Sequence, residues 1–262
     1  MTMNYKNFLL ASYTLWLREV VRFLRQPSRI FGALGSPFLF WILIGSGIGR
    51  SFQSPGGGPS GYLAYFYPGT LLLIIFFTAI FSTISVIEDR REGFLQSVLV
   101  APVPRASLVF GKILGGTTLA FLEAMLFLLF APMVGIHLTP WILAKTALVL
   151  LLNGFVMTGL GFLIAWQFDS IQGFHAVMNL FLMPLWILSG ALFPAEGASR
   201  WLALIMKLNP LTYGLSALRL SLFETAGAAG SFQNSMIAAL AFGIAIFLLA
   251  VWNVRPSARH VR

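Results

Sequence analysis

Long apolar runs separated by short polar stretches set the pattern of this chain. A helix needs about 20 predominantly apolar residues to cross the hydrocarbon of a bilayer. Six runs meet that length: Ile30–Ile48, Tyr67–Ile87, Leu108–Gly135, Trp141–Trp166, Phe174–Phe193 and Ser235–Trp252. None alternates with the period of two that a barrel strand requires. The pattern therefore predicts an all-α integral membrane protein with six transmembrane helices. Pro68 falls in the first turn of the second run, where its missing N–H is harmless. Gly45-x-x-x-Gly49 gives the first run a smooth face for helix packing.

Two stretches depart from the spanning pattern by being amphipathic. In residues 5–26, Tyr5, Phe8, Leu9, Trp16, Val20 and Phe23 recur at helical spacing, and Arg18, Arg22 and Arg25 share the opposite face. This predicts an N-terminal interface helix whose arginines meet either lipid phosphates or a protein partner. Pro27 ends it. Residues 194–230 are interrupted by Pro194, Glu196, Gly197, Arg200, Lys207, Asn209-Pro210 and Arg219. They hold two short runs, Ala198–Lys207 and Thr212–Phe223, which are too short to cross and predict a re-entrant helical hairpin before span 6. Residues 50–61 read as a flexible loop, and Asp169-Ser170-Ile171-Gln172 as a tight turn. No internal repeat is visible. One domain covers 1–262: an interface helix (1–29), spans 1–5 (30–193), the hairpin (194–230), then span 6 and a basic tail (231–262).

The densest polar stretch runs from Glu88 to Arg105, between spans 2 and 3. Glu88, Asp89, Arg90, Arg91 and Glu92 make up five of the chain's 17 basic and 8 acidic residues. Such a block must sit in water. Glu92-Gly93-Phe94-Leu95 then turns amphipathic, and Pro102 and Pro104 end any helix that forms. Phe94, Leu95 and Val98 are free to face something other than lipid.

Composition agrees with the pattern. The chain is 58% hydrophobic and 10% charged, against about 25% charged in a soluble domain. The net charge of +9 reads as topology signals and phospholipid contacts, with no nucleic acid implied. With the N-terminus in the cytoplasm, Lys and Arg concentrate in the N-terminal segment, the 88–112 region and the tail. Both termini and the 88–105 stretch are therefore expected inside, and the hairpin outside. The absence of cysteine excludes disulfides and thiolate chemistry. The charged first 29 residues do not fit a cleavable signal peptide. No His, Asp or Glu cluster has metal-ligand spacing, and no catalytic pair appears. Gly111-Lys112 lacks the upstream glycine and following hydroxyl of a phosphate-binding loop, so the chain is not expected to hydrolyse ATP. Glu123 lies mid-span, with Asn153 and Asn179 as similar polar points. Each is either a contact on a substrate path or a hydrogen bond between helices.

The layout resembles the type-2 ATP-binding-cassette (ABC) exporter permeases over nearly the whole chain. The resemblance is sharpest at Glu92-Gly93, Phe94-Leu95 and Leu99-Val100-Ala101-Pro102-Val103-Pro104-Arg105. A second match is Asn209-Pro210-Leu211-Thr212-Tyr213 followed by Ala217-Leu218-Arg219. It implies a cytoplasmic coupling helix between spans 2 and 3 that docks on a separate ABC ATPase subunit. Glu88, Arg90, Arg91, Glu92, Phe94 and Leu95 would make the contact, with Asp169 in a second, smaller one. It further implies ATP and Mg on two copies of that partner and none on this chain, a second permease copy (a homodimer), surrounding membrane lipids, and a bacterial inner (cell) membrane. The expected cargo is a small hydrophobic or amphipathic compound of drug or lipid type, moved out of the cytoplasm or inner leaflet. A lipid-linked polysaccharide is the alternative within transport. An intramembrane lipid-modifying enzyme would want paired catalytic residues, and Glu123 stands alone. A secondary transporter would want broken midplane spans and inverted repeats.

Overall fold

The computed structural model describes residues 5–48, 61–193, 199–223 and 231–254. Among them the regular elements are helices: α1 (Tyr5–Leu24), α2 (Pro27–Ile48), α3 (Tyr62–Arg91), α4 (Phe94–Val100), α5 (Arg105–Leu128), α6 (Pro140–Ala165), α7 (Ile171–Ala191), α8 (Arg200–Leu208), α9 (Pro210–Phe223) and α10 (Phe232–Asn253). Six are long and apolar enough to cross a membrane: α2 from Ile30, α3, α5, α6, α7 and α10. Gly49 and most of the 50–61 loop, Pro194, Glu196 and Gly197 of the hairpin, and the tail with Arg255, Arg259 and Arg262 lie outside the described residues.

Local chemistry sets the ends of these helices. Thr139 Oγ1 accepts from Ile142 N ahead of α6, and Ser231 Oγ from Asn234 N ahead of α10. Gly93, at φ 76°, makes the left-handed turn between α3 and α4. Ala101 is extended ahead of Pro102, which stops α4. The second span is longer than its apolar run: α3 continues through Glu88–Arg91, whose charges find partners where they stand. The third run breaks. α5 ends at Leu128, and a 3₁₀ turn (Ala131–Val134) with Gly135 at φ 79° follows, because Pro132 cannot continue the ladder. In α7 the segments Met178–Leu182 and Ile187–Ala191 widen to π turns. Pro184 lies between them and lacks the N–H that would close on Leu180.

Burial is uneven. The most apolar window of α3 is 89% buried, against 22% for α2 and α7 and 28% for α10. Phe66, Tyr67, Leu71, Leu72, Ile74 and Phe76 of α3 are closed off by α2, α5 and α6. Trp41 of α2 donates Nε1 to Leu63 O (3.0 Å) and stands edge-on to Tyr67 and Phe127. Gly116 of α5 lies against Ser82 and Thr158, so the backbones approach closely where no side chain intervenes.

The N-terminal helix is docked on the bundle rather than free. α1 buries Ser12, Leu15, Glu19 and Phe23 on α5. A Cβ on Gly111 or Gly115 of α5 would come within 2.8 or 2.6 Å of α1 atoms. Of the expected apolar face, Phe8 (5.8 Å from Phe110), Trp16 (Nε1 to Thr118 Oγ1, 3.0 Å) and Phe23 turn onto α5. Tyr5 and Leu9 stay exposed with Leu10, Tyr13 and Leu17. The helix thus has two apolar sides, one for protein and one outward. Near the hairpin, α8 exposes Trp201, Leu204, Ile205 and Leu208, while α9 is largely buried against α6, α10 and α3.

Candidate functional site

The charged end of α3 is the centre of an ionic cluster drawn from three helices. Lys112 of α5 is buried and donates Nζ to Glu19 Oε1 of α1 (2.6 Å), to Ser85 Oγ (3.2 Å) and to Asp89 of α3. Asp89 is fully buried and also receives two hydrogen bonds from Arg18 (2.8 and 2.7 Å) and one from Arg22 (3.0 Å). Arg22 reaches Glu88 as well, at 2.9 Å. The Asp89 hydrogen bond holds the Arg18 guanidinium above its ordinary basicity, so it stays charged. A buried ion group of this kind is stable only when each charge is paired and hydrogen-bonded. Here the pairing fastens α1, α3 and α5 together.

A second set of bonds fastens the 166–169 turn to the same end. Arg90 donates to Trp166 O (2.6 Å), Phe168 O (3.3 Å) and Asp169 Oδ1 (2.8 Å), and Arg91 Nε to Asp169 O (2.9 Å). The guanidinium of Arg90 also lies over the Trp166 ring. The turn between α6 and α7 therefore rides on α3.

On this base stands α4. Leu95 is its root, 3% exposed within the core. Phe94 is half-buried, with the Arg18 guanidinium 3.8 Å from its ring centre. Val100 is its tip, 85% exposed. Glu92 and Asp169 are open to solvent, and Arg25 is exposed on the wall of a 460 Å³ cleft with Arg18, Arg22 and Glu92. Between α1 and α4 runs an apolar groove of 420 Å³, lined by Leu10, Leu15, Phe94 and Val98 among others.

The expected contacts thus divide. Glu92, Arg91, Asp169 and part of Phe94 face outward. Leu95 does not: its position on α4 turns it into the core, and it offers no free surface. Arg90, Glu88, Arg18 and Arg22 are held by partners within the chain. Asp89, Lys112 and Glu19 were not among the expected site residues. The signal was there for one of them, since a lysine in the third span demands a buried carboxylate.

The midspan polar residues do not form one site. Glu123, 3% exposed, accepts from Thr78 Oγ1 of α3 through Oε2, and its Oε1 has no hydrogen-bond partner. Asn153 of α6 donates Nδ2 to Val149 O (2.9 Å) and Gly214 O (3.4 Å). Asn179 is exposed on α7. A 350 Å³ cavity does lie where α2, α3 and α7 meet near the charged end. Ser28, Gly32, Ala33, Phe81, Ile84, Glu88, Ile171 and His175 line it. His175 stands edge-on to Phe81, 5.9 Å between ring centres. Among the described residues no group of His, Asp and Glu could hold a metal ion.

Comparison with known proteins gives a consistent result. A family model described as ABC-2 type transporter matches residues 11–223. The chain is 30% identical to the transport permease Ycf38 of Cyanophora paradoxa, covering 92% of this chain and 88% of that one. It is 24% identical to nodulation protein J of Sinorhizobium fredii, over 92% and 88% of the two chains. It is 23% identical to the inner membrane transport permease YadH of Escherichia coli K12, over 97% and 98%.

Proposed function

The chain belongs to the ABC-2 type transporter family and is a multi-pass membrane permease, and from that premise we propose that it is the export subunit of a complex driven by two separate ABC ATPase subunits. In this reading the charged end of α3 faces the cytoplasm of a bacterial cell, as do both termini. A second permease copy completes the translocation path. ATP and Mg belong to the partner subunits.

The observation that carries the reading is the build of α4. Its root is buried, its tip is exposed, and its base is bonded to α1, α5 and the 166–169 turn. A partner pressing on Val100, Glu92 and Asp169 would therefore move three helices at once. A solvated loop would need none of this fastening. Rigid-body displacement transmitted through such an element is the physical requirement for coupling an ATPase to membrane helices.

The cavity between α2, α3 and α7 supports a small amphipathic cargo. Its 350 Å³ lies within the usual range for drug-sized ligands, roughly 300–1,000 Å³. Its floor is apolar, while Ser28, Glu88 and His175 offer polar groups to a head group. Glu123 and Asn153 are then bonds between helices rather than cargo contacts. Co-purification tests the reading. Gently solubilised wild-type protein should retain an ATPase subunit, and Val100→Asp should lose it while still folding. Retention by Val100→Asp and Glu92→Arg alike would overturn the assignment. For the cavity, Gly32→Leu is a clean plug, because a Cβ there meets nothing within 4 Å. It should abolish cargo stimulation of ATP hydrolysis and leave basal hydrolysis intact.

A further inference from the structure

The stretch Asn209-Pro210-Leu211-Thr212-Tyr213 with Arg219 has no part in coupling or in the cavity. Its polar atoms converge instead on the end of α7 farthest from the charged cluster. Asn209 Nδ2 donates to Leu185 O (2.6 Å), and Arg219 Nη2 donates to Gly190 O (2.8 Å). The second span joins in. Tyr65 OH donates to the same Gly190 oxygen (3.1 Å), Tyr62 OH to Leu192 O (2.8 Å), and Trp186 Nε1 of α7 to Gly69 O (3.1 Å). The Arg219 guanidinium lies 4.3 Å from the centre of the Tyr65 ring. Thr212 Oγ1 and Tyr213 OH donate back to Met206 O (2.7 Å) and Lys207 O (2.8 Å), which makes α8 and α9 one frame.

These bonds exist because α7 is broken there. Gly190 sits at φ 92°, a left-handed conformation that interrupts the helix and frees its carbonyl. The inner part of α7 is lightly packed. Residues 185–192 are its packed end, with Trp186, Ser189, Gly190 and Ala191 buried, so packing and hydrogen bonds to main-chain carbonyls together fix them. The opposite end of the same helix follows the 166–169 turn, which Arg90 ties to α3. One helix, lightly packed except at its outer end, is thus gripped at both ends by arginines, one at the coupling base and one at the hairpin frame.

We propose that Arg219 is the outer latch of the permease, a positioning residue that ties the Gly190 carbonyl to α9 and, through its place on the Tyr65 ring, supports the bonds that keep residues 185–192 on α3 until the coupling end moves. The proposal rests on the permease reading above. A stroke delivered to α4 displaces the 166–169 turn, α7 carries the displacement, and the Arg219–Gly190 bond yields first, followed by the bonds of Tyr65, Tyr62 and Trp186. Residues 185–192 then part from α3, with the left-handed Gly190 as the flexible point, and open the exit. The Tyr65 ring keeps the guanidinium in place for the latch to re-form.

The chain has no cysteine, so Leu192→Cys creates a single thiol on the moving segment. In vesicles carrying the permease with its ATPase, a membrane-impermeant maleimide added outside should label Cys slowly without nucleotide. Trapping a non-hydrolysable ATP analogue should speed labelling roughly tenfold or more, the ratio that loss of one hydrogen bond to a charged group gives. Adding Arg219→Met should make labelling fast in both states, Arg219→Lys should lie between, and Tyr65→Phe should produce a smaller increase. Where Arg219→Met folds poorly, the Lys and Phe variants carry the test. Nucleotide-dependent labelling that is unchanged by all three variants would overturn the latch while leaving the permease reading intact. Labelling indifferent to nucleotide in the unlatched and wild-type backgrounds alike, with no ATPase retained, would overturn both.

Discussion

The second and fifth spans solve the problem of staying in place in opposite ways. α3 is enclosed by α2, α5 and α6, and its position is set by packing along its length. α7 has only a narrow buried face over most of its length, is widened twice to π turns, and is held at its ends by side chains that grip main-chain oxygens, with added packing at Trp186, Ser189 and Ala191. Packing is distributed and stiff, since a close-packed interior tolerates little displacement. A few terminal hydrogen bonds can break and re-form one at a time. The contrast assigns α3 as the fixed post of the bundle and α7 as the part able to move against it. The two are joined at both ends: Arg90 and Arg91 of α3 hold the 166–169 turn at one, and Tyr62, Tyr65 and Gly69 of α3 bond residues 186–192 at the other.

The sharpest way to break this division is to attack the base on which α3 stands. Lys112→Met leaves Asp89 and Glu19 buried with a missing cation, and loss of one partner from a buried ion group costs about 3–5 kcal/mol. Thermal unfolding in detergent should show that loss, and adding Glu19→Gln should recover part of it. Next, Phe76→Ala opens a cavity in the enclosed span and should cost roughly 3 kcal/mol by the same measurement. Leu95→Ala, at the root of α4, should cost about 2 kcal/mol. Arg90→Ala should change stability by less, about 1–2 kcal/mol for the buried carbonyls it leaves unpaired. Its main effect should be functional: ATP hydrolysis continues while transport falls, seen as a drop in cargo moved per ATP. Smallest of all, Phe181→Ala on the outward face of α7 should stay within about 0.5 kcal/mol of wild type. If Phe181→Ala proved as damaging as Phe76→Ala, the two spans would not differ as described.

The sequence announced the spans, because apolar runs of membrane length have no other reading. It also marked Glu88–Arg105, because charge so concentrated between two such runs is conspicuous. It did not show what those charges bind. Lys112 and Glu19 stand 93 positions apart and Lys112 and Asp89 23 apart, and only the crossing of α1, α3 and α5 brings them together. For the same reason Arg18 and Arg22, which the helical wheel turns toward lipid phosphates or a separate protein, instead meet carboxylates of this chain. The inward turn of Leu95 depends on the left-handed Gly93, a one-residue decision that periodicity over seven residues cannot resolve. The hold of Arg219 on Gly190 was illegible, since a charged residue in a short amphipathic run reads as solvent-facing until the break in α7 is seen.

A single thiol at the tip of α4 addresses the central claim most directly. Val100→Cys in the cysteine-free chain, probed with a membrane-impermeant maleimide, should label only from the cytoplasmic side. It should be protected when the ATPase subunit is bound and exposed when that subunit is stripped away. Labelling from the outside, or labelling from the cytoplasm at the same rate with and without the ATPase, would contradict the account.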